Sequence, residues 1–403
     1  MNDILESIEC KHYTETDFIR IAKRDNNAKR TFLLVNPLQG KHLAVSPVSA
    51  LQVFKTLADL VFSNKKVNFS DTLIIGFAET ATAIGAALSL FAPKEYCVNY
   101  IQTTREIYKD KHFLYFSEEH SHATDQMVIR DFLDQHIKNG THIIFAEDEV
   151  TTGKTIENFM RVLEKTYPSL SITFGIASIL NGMPDGKLEG LSSLGISVDY
   201  LCQTPECDYE SHLSQYSYPE SLRLNFKEIE CATKTSDLQW QKISLMQTSY
   251  ADTRLGVSSS YYKDCCLKFY QGICEEYQER IEKANNILIL GTEEFMFPGI
   301  FVGACLEKEF PKKTVRFHAT TRSPILPSLE DEYPIKERYC LSSFYEQKRT
   351  TYLYNLSDYD LILIVTDSKT DTPAYSQLCH ILNQKHCSNN CHLIRWNEKE
   401  KAL

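Results

Sequence analysis

The chain has 403 residues, a length that suggests two domains and an apolar fraction (43%) that is ordinary for a globular protein. Its net charge of −10 comes without a basic tract, which argues against nucleic acid as the main partner. No apolar run approaches the roughly 18 residues of a spanning helix, and the N-terminus is not that of a signal peptide, so we expect no membrane partner. The 13 cysteines lack paired CxxC spacing, which predicts free thiols and a cytoplasmic location.

The first predicted elements place small and polar residues after a buried strand. A strand is predicted over 31–36 and a helix over 47–62, with Ser46 as N-cap and Pro47 in the first helical position. A strand over 71–76 and a further helix follow, and the loop between them carries Ala78, Glu79 and Thr80. Gly76 and the small residues after it allow the backbone to approach a ligand closely.

The next strand, over 97–103, leads into a charged segment. Arg105 follows this strand directly, and its guanidinium could bind phosphate oxygens with two hydrogen bonds. The polar stretch 106–126 has the length and composition of an active-site lid. Its candidate residues for the lid or for acceptor recognition are Lys109, Lys111, Glu118, Glu119, His120 and His122. The two histidines have no cysteine nearby, so we do not expect them to bind a metal.

The stretch 142–155 carries the strongest motif of the chain. A buried strand is predicted to end before Glu147 and Asp148, and the loop Thr151, Thr152, Gly153, Lys154 and Thr155 leads into an amphipathic helix. Backbone N–H groups and hydroxyls at a helix N-terminus bind phosphate readily. Gly153-Lys154-Thr155 spells the end of a P-loop, but Asp148 stands where that motif requires glycine. A P-loop is therefore rejected.

An acidic pair followed by Thr-Thr-Gly-x-Thr resembles the signature with which type I phosphoribosyltransferases bind phosphoribosyl pyrophosphate (PRPP). The resemblance implies that Glu147 and Asp148 hold the ribose hydroxyls and that residues 151–155 enclose the 5′-phosphate. By the same resemblance, the loop 78–80 and Arg105 face the pyrophosphate and its Mg²⁺.

The resemblance also implies that Lys109, Lys111 or a lid histidine closes over the leaving group. The catalytic candidates are accordingly Arg105, Lys109, Lys111 and Asp148. Mg²⁺ is expected to arrive bound to PRPP, without a dedicated set of side-chain ligands.

The second half of the chain repeats this order of elements. Glu293 and Glu294 follow an apolar strand, Arg322 follows the next, and Asp367 follows a third, at nearly the intervals of the first half. Thr366 stands opposite Glu147 and Thr372 opposite Gly153, so the signature is lost. The pattern predicts a degenerate second α/β domain, with Glu293, Glu294, Arg322 and Asp367 as ligand-facing candidates. A stabilising or dimerising domain is the open alternative.

The two halves together resemble a bacterial family in which an orotate-phosphoribosyltransferase-like domain precedes a domain bearing Thr-Arg-Ser-Pro, here residues 321–324. The family is associated with stress-response and tellurite-resistance gene clusters. The resemblance implies two Rossmann-like α/β domains with mainly parallel sheets. We place the PRPP-binding domain at 1–235 and the TRSP-like domain at 236–403. A homodimer is expected from the family.

The predicted reaction is Mg²⁺-dependent displacement of pyrophosphate from PRPP by a base or base-like acceptor, in the synthesis of a nucleotide- or nucleoside-like metabolite. Two alternatives remain open. The protein could be a PRPP-sensing regulator without catalysis, although no basic helix-turn-helix pattern is present. It could also be a hydrolase or phosphorylase that cleaves a ribosyl bond on the same fold. The sequence does not name the acceptor.

Overall fold

The computed structural model describes residues 4–25, 27, 30–116, 126–226, 242–384 and 390–397. The strands within these ranges are β1 (Arg20–Lys23), β2 (Phe32–Val35), β3 (Asp71–Gly76), β4 (Cys97–Gln102), β5 (Phe113–Phe116), β6 (Gln126–Ile129), β7 (His142–Val150), β8 (Thr173–Asn181), β9 (Ser197–Gln203), β10 (Arg223–Asn225), β11 (Lys242–Leu245), β12 (Val257–Ser258), β13 (Asn286–Thr292), β14 (Thr314–Thr320), β15 (Arg338–Ser342), β16 (Thr350–Tyr354), β17 (Leu361–Thr366) and β18 (Cys391–Arg395).

The α-helices are α1 (Glu15–Phe18), α2 (Pro47–Phe62), α3 (Ala81–Phe91), α4 (Arg130–His136), α5 (Lys154–Thr166), α6 (Asp185–Ser193), α7 (Tyr209–Leu213), α8 (Ser259–Lys283), α9 (Phe297–Glu309) and α10 (Ala374–Gln384). Helix α2 has the bounds predicted from its cap, and the Ser46 hydroxyl accepts a hydrogen bond from the Ser49 N–H at 3.1 Å.

The chain divides into two compact units that are interleaved along the sequence. The first unit comprises Met1–Glu15, Gln52–Pro205 and Ala251–Asp264, and the second comprises Thr16–Leu51, Glu206–Tyr250 and Cys265–Leu403. The predicted boundary between residues 235 and 236 falls in 227–241, outside the described residues.

The first unit is built on a six-stranded sheet of order β12-β4-β3-β7-β8-β9. All of its neighbouring strands are parallel except β12, which pairs antiparallel with β4. The central strands β3 and β7 are almost fully buried over their first halves, as expected for a parallel sheet.

Helix α3 packs unusually close to β3. A Cβ atom at Gly85 would lie 2.9 Å from the Gly76 Cα and 2.8 Å from the Tyr100 ring, so both glycines are required for this approach. The Tyr100 hydroxyl donates a 2.7 Å hydrogen bond to the Thr82 carbonyl and fixes the first turn of α3 against β4. The loop 77–80 is thereby held at the end of the sheet.

The second unit contains a parallel five-stranded sheet of order β11-β18-β17-β13-β14. Strands β14, β13, β17 and β18 occupy the order that β4, β3, β7 and β8 occupy in the first unit. Phe317 takes the place of Tyr100, since Cβ atoms at Gly291 and Gly299 would lie 3.1 and 2.7 Å from its ring. Each unit also inserts an antiparallel strand pair, β5–β6 or β15–β16, before its acid-bearing strand.

These observations confirm the predicted fold class of two α/β units with mainly parallel sheets. One sequence-based expectation differs in detail. Strand β7 does not end before the acidic pair, because its pairing with β8 continues to Val150. At the predicted lid, β5 and β6 form an antiparallel hairpin in which Phe113 pairs with Ile129 and Phe116 with Gln126.

No helix within the described ranges combines the length and the apolar composition needed to cross a membrane.

Two buried histidines predict acid sensitivity of the fold. Burial lowers the pKa of His142, and of His318, from 6.5 to about 4, so both are neutral in the folded state near pH 7. The unfolded chain takes up these protons as the pH falls through 6.5, which favours unfolding. A shift of this size for His318 makes the folded state about 2 kcal/mol less stable at pH 5 than at pH 7.5.

The variant His318→Asn should therefore lose less unfolding free energy between pH 7.5 and pH 5 than the wild type does. Urea denaturation at the two pH values measures this difference directly. An unchanged loss in the variant would contradict the assignment of His318 as a neutral buried group.

Candidate functional site

The candidate site of the first unit lies where three neighbouring parallel strands end. From β3 the chain continues to β4 on one side and later returns as β7 on the other, which makes a topological switch point. The register pairs Gly76 with Gln102 on β4 and with Ala146 on β7. The loop after β3, the residues after β4 and the acidic residues of β7 therefore meet at one edge.

The loop after β3 is bound to both neighbouring strands. The Phe77 N–H donates to the Ala146 carbonyl at 3.0 Å, and the Ala78 N–H donates to the Thr103 hydroxyl at 2.8 Å. The Ala78–Glu79 peptide bond is cis, and the Glu79 carbonyl accepts a hydrogen bond from the Thr82 hydroxyl at 2.9 Å. Thr80 is 2% exposed, and its hydroxyl has no hydrogen-bond partner among the described residues.

The acidic end of β7 opens into a small cleft. The cleft has a volume of about 60 Å³ and is lined by Glu147, Glu149 and residues 150–156. Asp148, which lies between Glu147 and Glu149 in the sequence, is half-buried. Its backbone N–H donates to a Glu147 carboxylate oxygen at 3.0 Å. The sequence did not single out Glu149. It lines the cleft because β7 continues to Val150, beyond the predicted end of the strand.

The predicted phosphate loop closes this cleft at the N-terminus of α5. Gly153 has φ = +74°, a left-handed conformation that glycine adopts without strain, and the Thr152 hydroxyl accepts a long hydrogen bond from the Lys154 N–H at 3.4 Å. Thr151, Thr152 and Lys154 are exposed and Thr155 is half-buried. The first N–H groups of a helix lack intrahelical acceptors, so this turn can donate to an anion.

A second buried hydroxyl stands beside the acids. Ser178 on β8 pairs with Glu147 and is fully buried, and its hydroxyl has no hydrogen-bond partner among the described residues. Buried hydroxyls without a partner are uncommon in folded proteins and fit a site that a polar ligand completes. Ser178 was missed because a single serine in an apolar strand gives no signal.

The oxygen-rich character of the site suits Mg²⁺ delivered with a ligand. Carboxylates, hydroxyls and phosphate oxygens are the ligands that Mg²⁺ prefers. Among the described residues, no group of three or more His, Cys, Asp or Glu side chains is close enough to hold a metal ion.

Arg105 lies next to the hairpin base. It is half-buried and follows Thr104, whose N–H donates to the Met127 carbonyl of β6 at 2.9 Å. Lys109 and Lys111 are exposed in the turn before β5. The other predicted lid residues, Glu118, Glu119, His120 and His122, lie outside the described residues.

The four candidates of the second unit occupy the equivalent sheet edge. The Arg322 guanidinium contacts Glu293 at 3.3 Å and Glu294 at 2.8 Å. Tyr345 joins Asp367 to this edge, because its hydroxyl lies 2.6 Å from the Asp367 carboxylate and 3.2 Å from the Thr292 carbonyl. Glu293 is buried, has φ = +48°, and also contacts Arg349 at 3.0 Å. At this edge, arginine and glutamate side chains form ion pairs with each other.

Two protein-family models match regions of the chain. Residues 18–204 match a family model described as phosphoribosyl transferase, and residues 252–382 match one described as the TRSP domain C-terminal to it. These matches support a phosphoribosyltransferase region followed by a TRSP domain. The family match also confirms the predicted fold of the first region. No curated protein matches the chain.

Solved structures similar to the phosphoribosyltransferase region are distant. Adenine phosphoribosyltransferase from Saccharomyces cerevisiae is 14% identical, with a TM-score of 0.30, over 50% of this chain and 100% of that one. Orotate phosphoribosyltransferase from Mycobacterium tuberculosis is 12% identical, with a TM-score of 0.27, over 50% and 93% of the two chains. We draw no conclusion about the substrate from likenesses of this size.

The glycine of the phosphate loop can be tested against a matched glycine elsewhere in the first unit. Gly153 and Gly140 both have left-handed φ values, +74° and +90°, but only at Gly153 would a Cβ lie 2.7 Å from the Met183 sulfur. Gly140→Ala should cost about 1 kcal/mol from conformation alone, and Gly153→Ala should cost more because of the added overlap. Urea denaturation of both variants measures the difference, and equal losses would contradict the close packing at Gly153.

Proposed function

We propose that the first unit transfers a phosphoribosyl group from Mg²⁺-bound PRPP to a nitrogenous base or base-like acceptor, releasing pyrophosphate. The main support is the convergence of a buried loop, an arginine, a carboxylate pair and a glycine turn at the ends of β3, β4 and β7. The family match over residues 18–204 covers all of these elements.

In this proposal each part of the edge contacts one part of PRPP. Glu147 and Asp148 accept hydrogen bonds from the ribose hydroxyls, and Glu149 is the further carboxylate that the cleft offers. The turn 151–155 donates backbone and hydroxyl hydrogen bonds to the 5′-phosphate. The loop 78–80 and Arg105 bind the pyrophosphate, whose release requires stabilisation of negative charge.

The transition state places positive charge on the ribose, so the protein acts mainly by positioning and electrostatics, without a side-chain nucleophile. Carboxylates near the ribose stabilise this positive charge. When Mg²⁺ is bound with PRPP it supplies further stabilisation of the leaving pyrophosphate. The β5–β6 hairpin, with Lys109 and Lys111 before it, is proposed to cover the site and exclude water.

The finer assignments rest on family resemblance. They are a nucleoside-like product made in a stress-response or tellurite-resistance setting, a homodimer, and a cytoplasmic location. The acceptor is left as a base-like small molecule. The domain division at 235/236, with the PRPP signature in the first part, stays a prediction. The role of the second unit is either ligand binding at its own sheet edge or stabilisation.

The proposal is tested by pyrophosphate release from PRPP and Mg²⁺ with a panel of bases. Asp148→Asn should lower kcat about 100-fold or more, because a charge at the ribose is lost while size is retained. Asp134→Asn on the exposed face of α4 is the matched control and should keep wild-type activity. Thermal unfolding of both variants checks that the fold is retained, and a fully active Asp148→Asn enzyme would overturn the assignment.

The same assay separates the two alternative functions. PRPP binding without pyrophosphate release, with every base tried, would favour a sensor. Pyrophosphate release without any added base would favour a hydrolase. Base-dependent release is the outcome expected from the proposed transferase.

A further inference from the structure

A short segment from the second matched region of the chain belongs structurally to the first unit. The TRSP match begins at residue 252, whereas residues 251–264 are part of the first unit. Strand β12 pairs antiparallel with β4, with Val257 opposite Tyr100 and Ser258 opposite Asn99. The Ser259 hydroxyl adds a 2.8 Å hydrogen bond to the Val98 carbonyl. The edge strand of the first sheet is therefore covered by residues that follow position 250.

The turn before β12 lies against the carboxyl end of β4. The Gln102 N–H donates to the Thr253 carbonyl at 3.1 Å, and the Thr253 hydroxyl donates to the Gln102 side-chain oxygen at 2.6 Å. Gly256 has φ = +82°, and a Cβ there would overlap the Phe132 ring of α4. The turn is thus fixed beside Thr103, whose hydroxyl accepts the hydrogen bond from Ala78 in the loop after β3.

Asp252 connects this turn to the segment that follows Arg105. One of its carboxylate oxygens accepts a 2.6 Å hydrogen bond from the Tyr108 hydroxyl. The other accepts the Arg254 backbone N–H at 3.0 Å and lies 3.7 Å from the Arg254 guanidinium. Arg254 is 3% exposed, so a positive charge is buried close to the residues proposed to bind pyrophosphate.

We propose that Arg254 binds the pyrophosphate group of PRPP together with Arg105, and that Asp252 competes with the ligand for the Arg254 guanidinium. The inference rests on the proposed function of the first unit. Pyrophosphate carries several negative charges, and an arginine can bind it with two parallel hydrogen bonds. The site of the first unit would then be incomplete without the TRSP-matched segment.

Opposite charge changes at the two residues distinguish ligand binding from a structural ion pair. Arg254→Gln should weaken binding of PRPP at least tenfold, because one positive charge at the pyrophosphate is lost. Asp252→Asn should tighten binding a few-fold, because a competing negative charge is lost while an acceptor for Tyr108 remains. Isothermal titration of the full-length variants with PRPP and with inorganic pyrophosphate, in the presence of Mg²⁺, measures both effects. In the release assay, Arg254→Gln should raise KM for PRPP more than it lowers kcat.

Arg338→Gln is the matched control, since Arg338 is similarly buried and contacts Asp25 at 2.6 Å within the second unit. It should leave pyrophosphate affinity unchanged. Affinities of Arg254→Gln and Asp252→Asn within about twofold of each other would overturn the inference and make the pair structural. If Arg254→Gln does not fold, a tenfold loss of affinity in Asp252→Asn overturns it as well.

The outcome also separates this inference from the proposed function. A wild-type protein that binds neither PRPP nor pyrophosphate would reject the proposed function itself. Normal affinity in Arg254→Gln alongside reduced affinity in Arg105→Gln would reject only the role of Arg254.

Discussion

The close contact between α3 and β3 is the constraint on which the candidate site depends. Two glycines, Gly76 and Gly85, bring helix and strand backbones together, and the Tyr100 ring fills the space beside them. Because the helix cannot shift outward without opening this contact, its first turn and the loop before it have one position relative to β4 and β7. The position of this sheet edge is therefore set by the packing beneath it.

The second unit uses the same packing with Phe317 in place of Tyr100, but its edge has a different chemistry. In the first unit, buried hydroxyls at Thr80 and Ser178 have no hydrogen-bond partner within the described residues. In the second, Arg322 is matched by two carboxylates. Removing one partner of such a buried pair is costly because it strands a charge. The two sheets thus share a framework, whereas the described residues at their edges differ: two unpartnered buried hydroxyls in the first unit and a cluster of ion pairs in the second.

Sequence patterns identified those elements whose signals are local. Helix α2 was placed by Ser46 and Pro47, and strands β3, β4 and β7 and their counterparts β13, β14 and β17 were evident as apolar runs. The true end of β7 was hidden, because acidic residues at 147–149 interrupt the apolar pattern while backbone pairing with β8 continues. The two-residue strand β12 was not predicted, since its pairing with β4 depends on residues about 150 positions apart. Arg254 could not be placed near Tyr108 for the same reason.

The interleaving of the two units has a consequence for synthesis of the protein. Residues 16–51 leave the ribosome early yet belong to a unit whose sheet strands come much later. The first unit, in turn, gains its last strand only after residue 258 has been made. During translation, each unit therefore waits for sequence that lies beyond part of the other. Neither unit can therefore complete its fold until part of the other has been synthesised. We expect the need for chaperones to be greatest while the chain between residues 51 and 258 is being made.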